Sequence, residues 1–170
     1  PTNGYATKKI INDTKRMLEE LPKLEINIGV SIYALYEKHD FISKKKGAFE
    51  RAIETQKILI DLEKKYKNLS TKFYTVLSND NIEESDKLFK YIVEEFGFEK
   101  IGFSTLIGDP ANPELKSTTP LEWDNLYKMF KKYVNTKQLD FKQFLINRKL
   151  ENIHALNRKA LSSDGYIKNN

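Results

Sequence analysis

The chain has 170 residues, 39% of them hydrophobic and 31% charged, a balance expected of a globular rather than a disordered chain. It contains no cysteine, which excludes disulfides, thiolate catalysis and cysteine-held zinc or iron–sulfur centres within it. Two histidines, His39 and His154, are too few for a histidine-rich metal site. The net charge of +5 is spread over solvated helix faces, and no basic stripe with interleaved aromatics marks a nucleic-acid surface. No apolar run approaches the roughly 20 residues of a membrane span. Pro1 leads straight into Thr2-Asn3-Gly4 with no signal peptide, so a soluble, cytoplasmic protein is expected.

The pattern alternates helix and strand. Residues 6–21 predict a helix with Ile10, Thr14, Met17, Leu18 and Leu21 on one face, ended by Pro22. Residues 25–33 alternate: Ile26, Ile28, Val30 and Ile32 against Asn27, Gly29, Ser31 and Tyr33, a strand with one apolar side. A basic loop, Ser43-Lys44-Lys45-Lys46-Gly47, leads to a helix over about 48–66 carrying Phe49, Ile53, Gln56, Leu59 and Ile60. Residues 72–78 predict a second strand. Asn81, with Glu84 three residues on, fits a helix cap, and the helix then carries Ser85, Leu88, Phe89, Ile92 and Phe96 before Gly97 stops it.

Residues 101–107 predict a third strand, followed by a loop with Gly108, Pro110 and Pro113. Thr119-Pro120-Leu121-Glu122 starts a helix that reaches about Val134. A Lys/Arg/Asn-rich helix follows over 140–160, and residues 162–170 form a polar tail.

Strands joined by helices of this length are parallel, so the fold class is α/β, a parallel sheet of βα repeats. Three strands and a fourth stub at residues 1–4 are fewer than the eight of a closed barrel. The sheet is either small and open or a slice of something larger.

Ligands of α/β folds bind beyond the carboxyl ends of strands. Ser31 falls there, on the non-aliphatic side, and its hydroxyl can both donate and accept, which suits a ribose or a carboxylate. Asn3, Thr75, Asn79 and Asn81 also lie at or after strand ends; for Asn81 the capping role is favoured. His39-Asp40 is expected to order the loop after the first strand rather than to relay protons, and Lys44-Lys45-Lys46 to be a solvated loop.

Several segments, in order, resemble one family. Thr2-Asn3-Gly4 before a helix is similar to the "TNG" closing the third strand of radical S-adenosylmethionine (radical SAM) barrels. Val30-Ser31-Ile32, Glu37-Lys38-His39-Asp40 and Gly47-Ala48-Phe49-Glu50-Arg51 resemble that family's fourth strand and the start of the helix after it. Thr75-Val76-Leu77-Ser78-Asn79 with Asn81 resembles the end of the fifth strand, and Ile101-Gly102-Phe103-Ser104 the sixth. The resemblance spans about residues 1–107.

It implies a partial TIM-type (β/α) barrel over residues 1–135, with a helical extension and tail over 136–170. It implies S-adenosylmethionine across the open face, contacted by a serine at the position of Ser31; Asn3, Thr75 and Asn79 are candidates to line that site, Arg51 is a candidate for the cofactor's carboxylate with a surface helix pair as the favoured alternative, and Phe103 and Leu106 are candidates to wall the adenine with plain core packing as the favoured alternative. In such enzymes a 4Fe–4S cluster held by C-x₃-C-x₂-C cleaves the cofactor to a 5′-deoxyadenosyl radical that abstracts a substrate hydrogen. The family's first two strands, its cysteine loop and its Gly-Gly-Glu motif have no counterpart here. Tyr33-Ala34 stands where the family has Asp-Gly, and Ser43-Lys44 where it has Arg-Gly.

Two readings follow. In one, the chain is part of a radical SAM iron–sulfur oxidoreductase, inactive alone but carrying part of the cofactor pocket. In the other it is a cluster-free α/β binding module for a nucleotide-like ligand or a protein partner. A barrel begun at its third strand would expose a sheet edge, so self-association, or a further N-terminal segment covering that edge, is expected.

Overall fold

The computed structural model describes residues 1–106, residues 111–115 and positions 124, 127, 128, 131 and 155. Asp124, Tyr127, Lys128 and Lys131 are helical, within the stretch expected as a helix from 119 to 134, and Ala155 is helical within the one expected from 140 to 160. The remainder of both stretches, His154, Ile107, Gly108, Pro110, the boundary at residue 135 and the polar tail lie outside the described residues.

The elements run α1 (Thr7–Glu20), β1 (Ile26–Ser31), α2 (Tyr36–Ser43), α3 (Ala48–Glu63), β2 (Leu69–Leu77), α4 (Ser85–Phe96) and β3 (Ile101–Thr105). The strands form a three-stranded open parallel sheet in the order β1-β2-β3. β1 and β2 are in register from Ile26 opposite Leu69 to Ser31 opposite Tyr74. Thr2 forms a single parallel bridge to Val30, with Thr2 N–H donating to the Gly29 carbonyl (2.8 Å) and Ser31 N–H to the Thr2 carbonyl (2.7 Å). The strand stub expected at residues 1–4 is therefore one ladder step beside β1. No helix among the described residues is long and apolar enough to cross a membrane.

The chain divides into two compact units, Pro1–Val76 with Lys87–Phe103, and Leu77–Asp86 with Ser104–Asn170. The first holds a hydrophobic core of Val30, Ile32, Leu59, Phe73, Leu88 and Ile92, all at 0% exposure, with Phe49, Ala52 and Leu69 around them. Alternation along the strands sends these residues to the helix-covered face. α3 packs on β1, and α1 and α2 pack on α3. On the other face Asn27, Ser70 and Tyr74 are exposed, and Gly29, Ser31 and Lys72 are half-buried.

Four expectations are corrected. The buried row of α1 is Thr7, Ile11, Thr14 and Leu18, whereas Met17 and Leu21 are exposed. The row is set by Thr7, whose hydroxyl pairs with that of Thr55 on α3 (2.8 Å). Residues 36–43 form α2, a helix the pattern did not predict. β2 begins at Leu69, three residues earlier than expected, because Ile26 N–H donates to the Asn68 carbonyl (2.8 Å) and starts the ladder there. Asn81 places no side-chain hydrogen bond into the turn it precedes; its Oδ1 accepts from the Ser78 N–H (2.8 Å), closing the chain after β2.

Candidate functional site

A cleft of about 390 Å³ opens at the carboxyl end of β1, within the first unit. Its walls come from three short pieces of chain: the turn after Thr2, the end of β1, and the α2–α3 junction.

The turn presents Asn3 and Tyr5. Its backbone is fixed by Asn3 Oδ1, which accepts from Tyr5 N–H (3.1 Å), and by Thr55 Oγ1, which donates to the Gly4 carbonyl (2.6 Å). Gly4 has φ +72°, and a Cβ there would lie 2.8 Å from the Cα of Ala52. Only glycine lets this turn sit against α3.

The end of β1 presents Ser31, its last residue, half-buried and lining the cleft. Tyr33 follows two residues on and stacks on His39 at 5.5 Å between ring centroids.

The junction presents His39, Ser43, Lys44 and Lys45. His39 is 1% exposed. Its Nδ1 accepts from Tyr33 N–H (3.1 Å), so the neutral ring carries its proton on Nε2, which faces Ser43 Oγ at 3.3 Å. Burial pushes the imidazole below its ordinary value, against smaller upward pulls from Asp40 and Glu50. Asp40 points the other way and accepts from Gly47 N–H (2.5 Å) and Phe49 N–H (2.9 Å). Burial pulls its carboxyl upward, but the backbone donors of Phe49, Gly47 and Ala48 outweigh that and hold it below the usual carboxylate range. The His39-Asp40 pair thus ties the loop on both sides, as expected of it. Lys45 sits over the Tyr5 ring, 4.9 Å from its centroid, and so joins the first wall to the third.

Of the residues proposed from sequence, the cleft brings together Asn3 and Ser31. Arg51 is exposed on α3, does not line the cleft and pairs with Glu54 (2.9 Å). Thr75 is fully buried on the helix-covered face, since it follows Tyr74, the register partner of Ser31. Its Oγ1 has no hydrogen-bond partner among the described residues. Phe103 packs its ring on Phe89 of α4 (5.6 Å). Asn79 and Leu106 belong to the second unit. There Asn79 is exposed with its amide on the Glu114 carbonyl, and Leu106 N–H donates to the Leu77 carbonyl (3.1 Å).

Sequence reasoning did not assign Tyr5, Tyr33, His39, Ser43 or Lys45 to a site. The sequence signals here are the His39-Asp40 pair and the Lys44-Lys45-Lys46 run, for both of which a loop role is the favoured reading.

A smaller depression of about 250 Å³ lies on the open sheet face, lined by Asn27, Gly29, Ser70, Lys72 and Tyr74 among others. The Tyr74 ring lies across Gly102, whose Cβ, if present, would come within 2.9 Å of it.

The chain holds no cysteine, and among the described residues no group of three His, Asp or Glu side chains could hold a metal ion. The residues present therefore do not fit an iron–sulfur cluster. They do offer a small organic ligand a pocket of ordinary size, with hydroxyl, amide, aromatic and ammonium groups converging on it. Comparison of the chain with protein-family models, with curated proteins and with solved structures finds no match in any of the three.

Proposed function

We propose that the chain forms the S-adenosylmethionine side of a radical SAM barrel, with the cleft at the end of β1 as its cofactor pocket. The observation that carries this reading is the position of Ser31. It ends a parallel strand, on the face away from the helices, and opens into a cleft shared with Asn3 from the neighbouring chain segment. A polar, small-residue sheet face, with Gly29, Ser31, Ser70 and Gly102 on it, also suits the interior of a partial TIM-type barrel, which must accommodate a ligand.

In this reading Ser31 and Asn3 hydrogen-bond the polar groups of the cofactor, and Tyr5 and Tyr33 limit water at the cleft. A reduced 4Fe–4S cluster, when bound, would supply the electron for reductive cleavage of S-adenosylmethionine. Since these 170 residues cannot ligate that cluster, no radical step is assigned to them. The further contacts expected from Arg51, Thr75, Asn79, Phe103 and Leu106 have no support in the cleft's lining.

A second reading is a cluster-free binding module for a nucleotide-like ligand. It is favoured by the completeness of the cleft within one unit and by the absence of cysteine. Calorimetric titration of the folded chain with S-adenosylmethionine and, separately, with ATP tests the pair. Saturable binding of S-adenosylmethionine with ATP silent supports the first reading. Preference for ATP supports the second, and silence of both removes the cleft as a nucleoside site.

A further inference from the structure

We propose that the α2–α3 corner of the cleft recognises an anionic oxygen of the ligand, a carboxylate or a phosphate, through a Ser43 hydroxyl that His39 fixes as a donor. The Tyr33 backbone N–H can only donate, so His39 Nδ1, 3.1 Å away, must be the acceptor and bear no proton. The neutral ring then carries its proton on Nε2, and that proton points at Ser43 Oγ. The serine oxygen receives from the histidine, so its own hydrogen turns elsewhere. Among the described residues nothing else accepts it, and Ser43 lines the cleft. The result is a hydroxyl set to donate into the cleft, held by a buried ring that stacks on Tyr33 and makes a T-shaped contact with Phe49.

Charge at the corner agrees. Lys44 and Lys45 line the same cleft, and Lys45 is placed by its contact with Tyr5. The carbonyls at the end of a helix ordinarily repel an anion. Here two of them are already occupied, because Lys44 N–H donates to the Phe41 carbonyl (3.1 Å) and Lys45 N–H to that of Asp40 (2.9 Å). The Asp40 carboxylate is engaged by Gly47 and Phe49. Lys44 holds this turn in the left-handed region, at φ +51°, which brings Ser43 and Lys45 to one wall.

His39 acts as a positioning residue, and Ser43 with the lysines as the ligand contacts. The inference goes beyond the S-adenosylmethionine reading, since it needs only that the cleft takes a ligand bearing an anionic oxygen.

The test is an NMR titration of the full chain with sodium sulfate and with sodium acetate, at constant ionic strength against chloride. The expected result is saturable shifts at the amides of Ser43, Lys44 and Lys45. Ser43→Ala weakens binding about tenfold, the order expected for losing a hydrogen bond to a charged group, and Ser43→Thr restores it. A preference for sulfate identifies a phosphate-type ligand, and a preference for acetate a carboxylate. Long-range nitrogen correlation of His39 at pH 7.5 shows the Nε2–H tautomer. His39→Asn, which keeps an acceptor for Tyr33 and removes the donor to Ser43, weakens sulfate binding several-fold. An Nδ1–H tautomer, equal affinity in wild type and Ser43→Ala, or no saturable shifts would each overturn the proposal. Anion binding at the corner without S-adenosylmethionine binding keeps this inference and removes the earlier reading; the reverse pattern does the opposite.

Discussion

The two faces of the sheet use the same strands for different work. On the helix-covered face Val30, Ile32 and Phe73 are fully buried and carry the core. One residue away along the same strands, Ser31 and Lys72 stand half-buried and Tyr74 partly exposed, on the face that the helices leave open. A buried core face and an open face are separated here by a single step of alternation. A residue's parity along its strand therefore decides which property its substitution changes.

The largest expected effect tests that separation within one dipeptide. Phe73→Ala should cost about 3–5 kcal/mol in urea unfolding, and Tyr74→Ala under about 1 kcal/mol. Similar costs for both would break the comparison.

Next comes Gly4→Ala, where the edge turn meets α3. Its positive φ and the 2.8 Å approach to Ala52 should cost about 2–3 kcal/mol by the same measurement. A neutral substitution would mean that the turn is free to move off the helix.

A smaller effect is read against pH. The His39 imidazole lies below its ordinary value, so on acidification the unfolded chain takes up the proton first. The contribution of neutral His39 is fully present above about pH 6.5 and is lost as pH falls below it toward the folded value. The urea midpoint should therefore drop between pH 7.5 and 5, and His39→Asn should flatten that slope. Asp40, also held low, adds its own loss only below about pH 4.

Thr75→Val sharpens the comparison further. The buried hydroxyl has no partner among the described residues, so the isosteric change should be neutral or stabilising by up to about 1 kcal/mol. Thr71→Val, which loses the bond to Gln56 Oε1 (3.1 Å), should cost about 1 kcal/mol. Arg51→Ala removes only an exposed ion pair and should change stability by less than about 0.5 kcal/mol.

Much of this fold was legible because strict alternation marks strands. Residues 26–31 could hardly be anything else, and the helical periods of α3 and α4 are clear. α2 was not legible: it is eight residues long, buries only His39 and leaves Phe41 79% exposed, so no apolar stripe announces it. Its helix is held instead by contacts to Tyr33 and to residues 47–49. Thr75 was proposed beside Ser31 because both sit near strand ends. Whether they share a face depends on the register between β1 and β2, which pairs Ser31 with Tyr74 and is not written in either strand alone. The roles of His39 and Ser43 were hidden for a related reason, since they rest on a backbone N–H six residues earlier.

In the proposed function the Ser31 side chain reaches bound S-adenosylmethionine from the face that the helices leave open. The most direct measurement is the S-adenosylmethionine affinity of Ser31→Ala set against that of Thr75→Val, each relative to wild type. The account predicts a loss of about tenfold for the first and none for the second. Equal affinities across all three proteins, or a loss confined to the threonine variant, would contradict it.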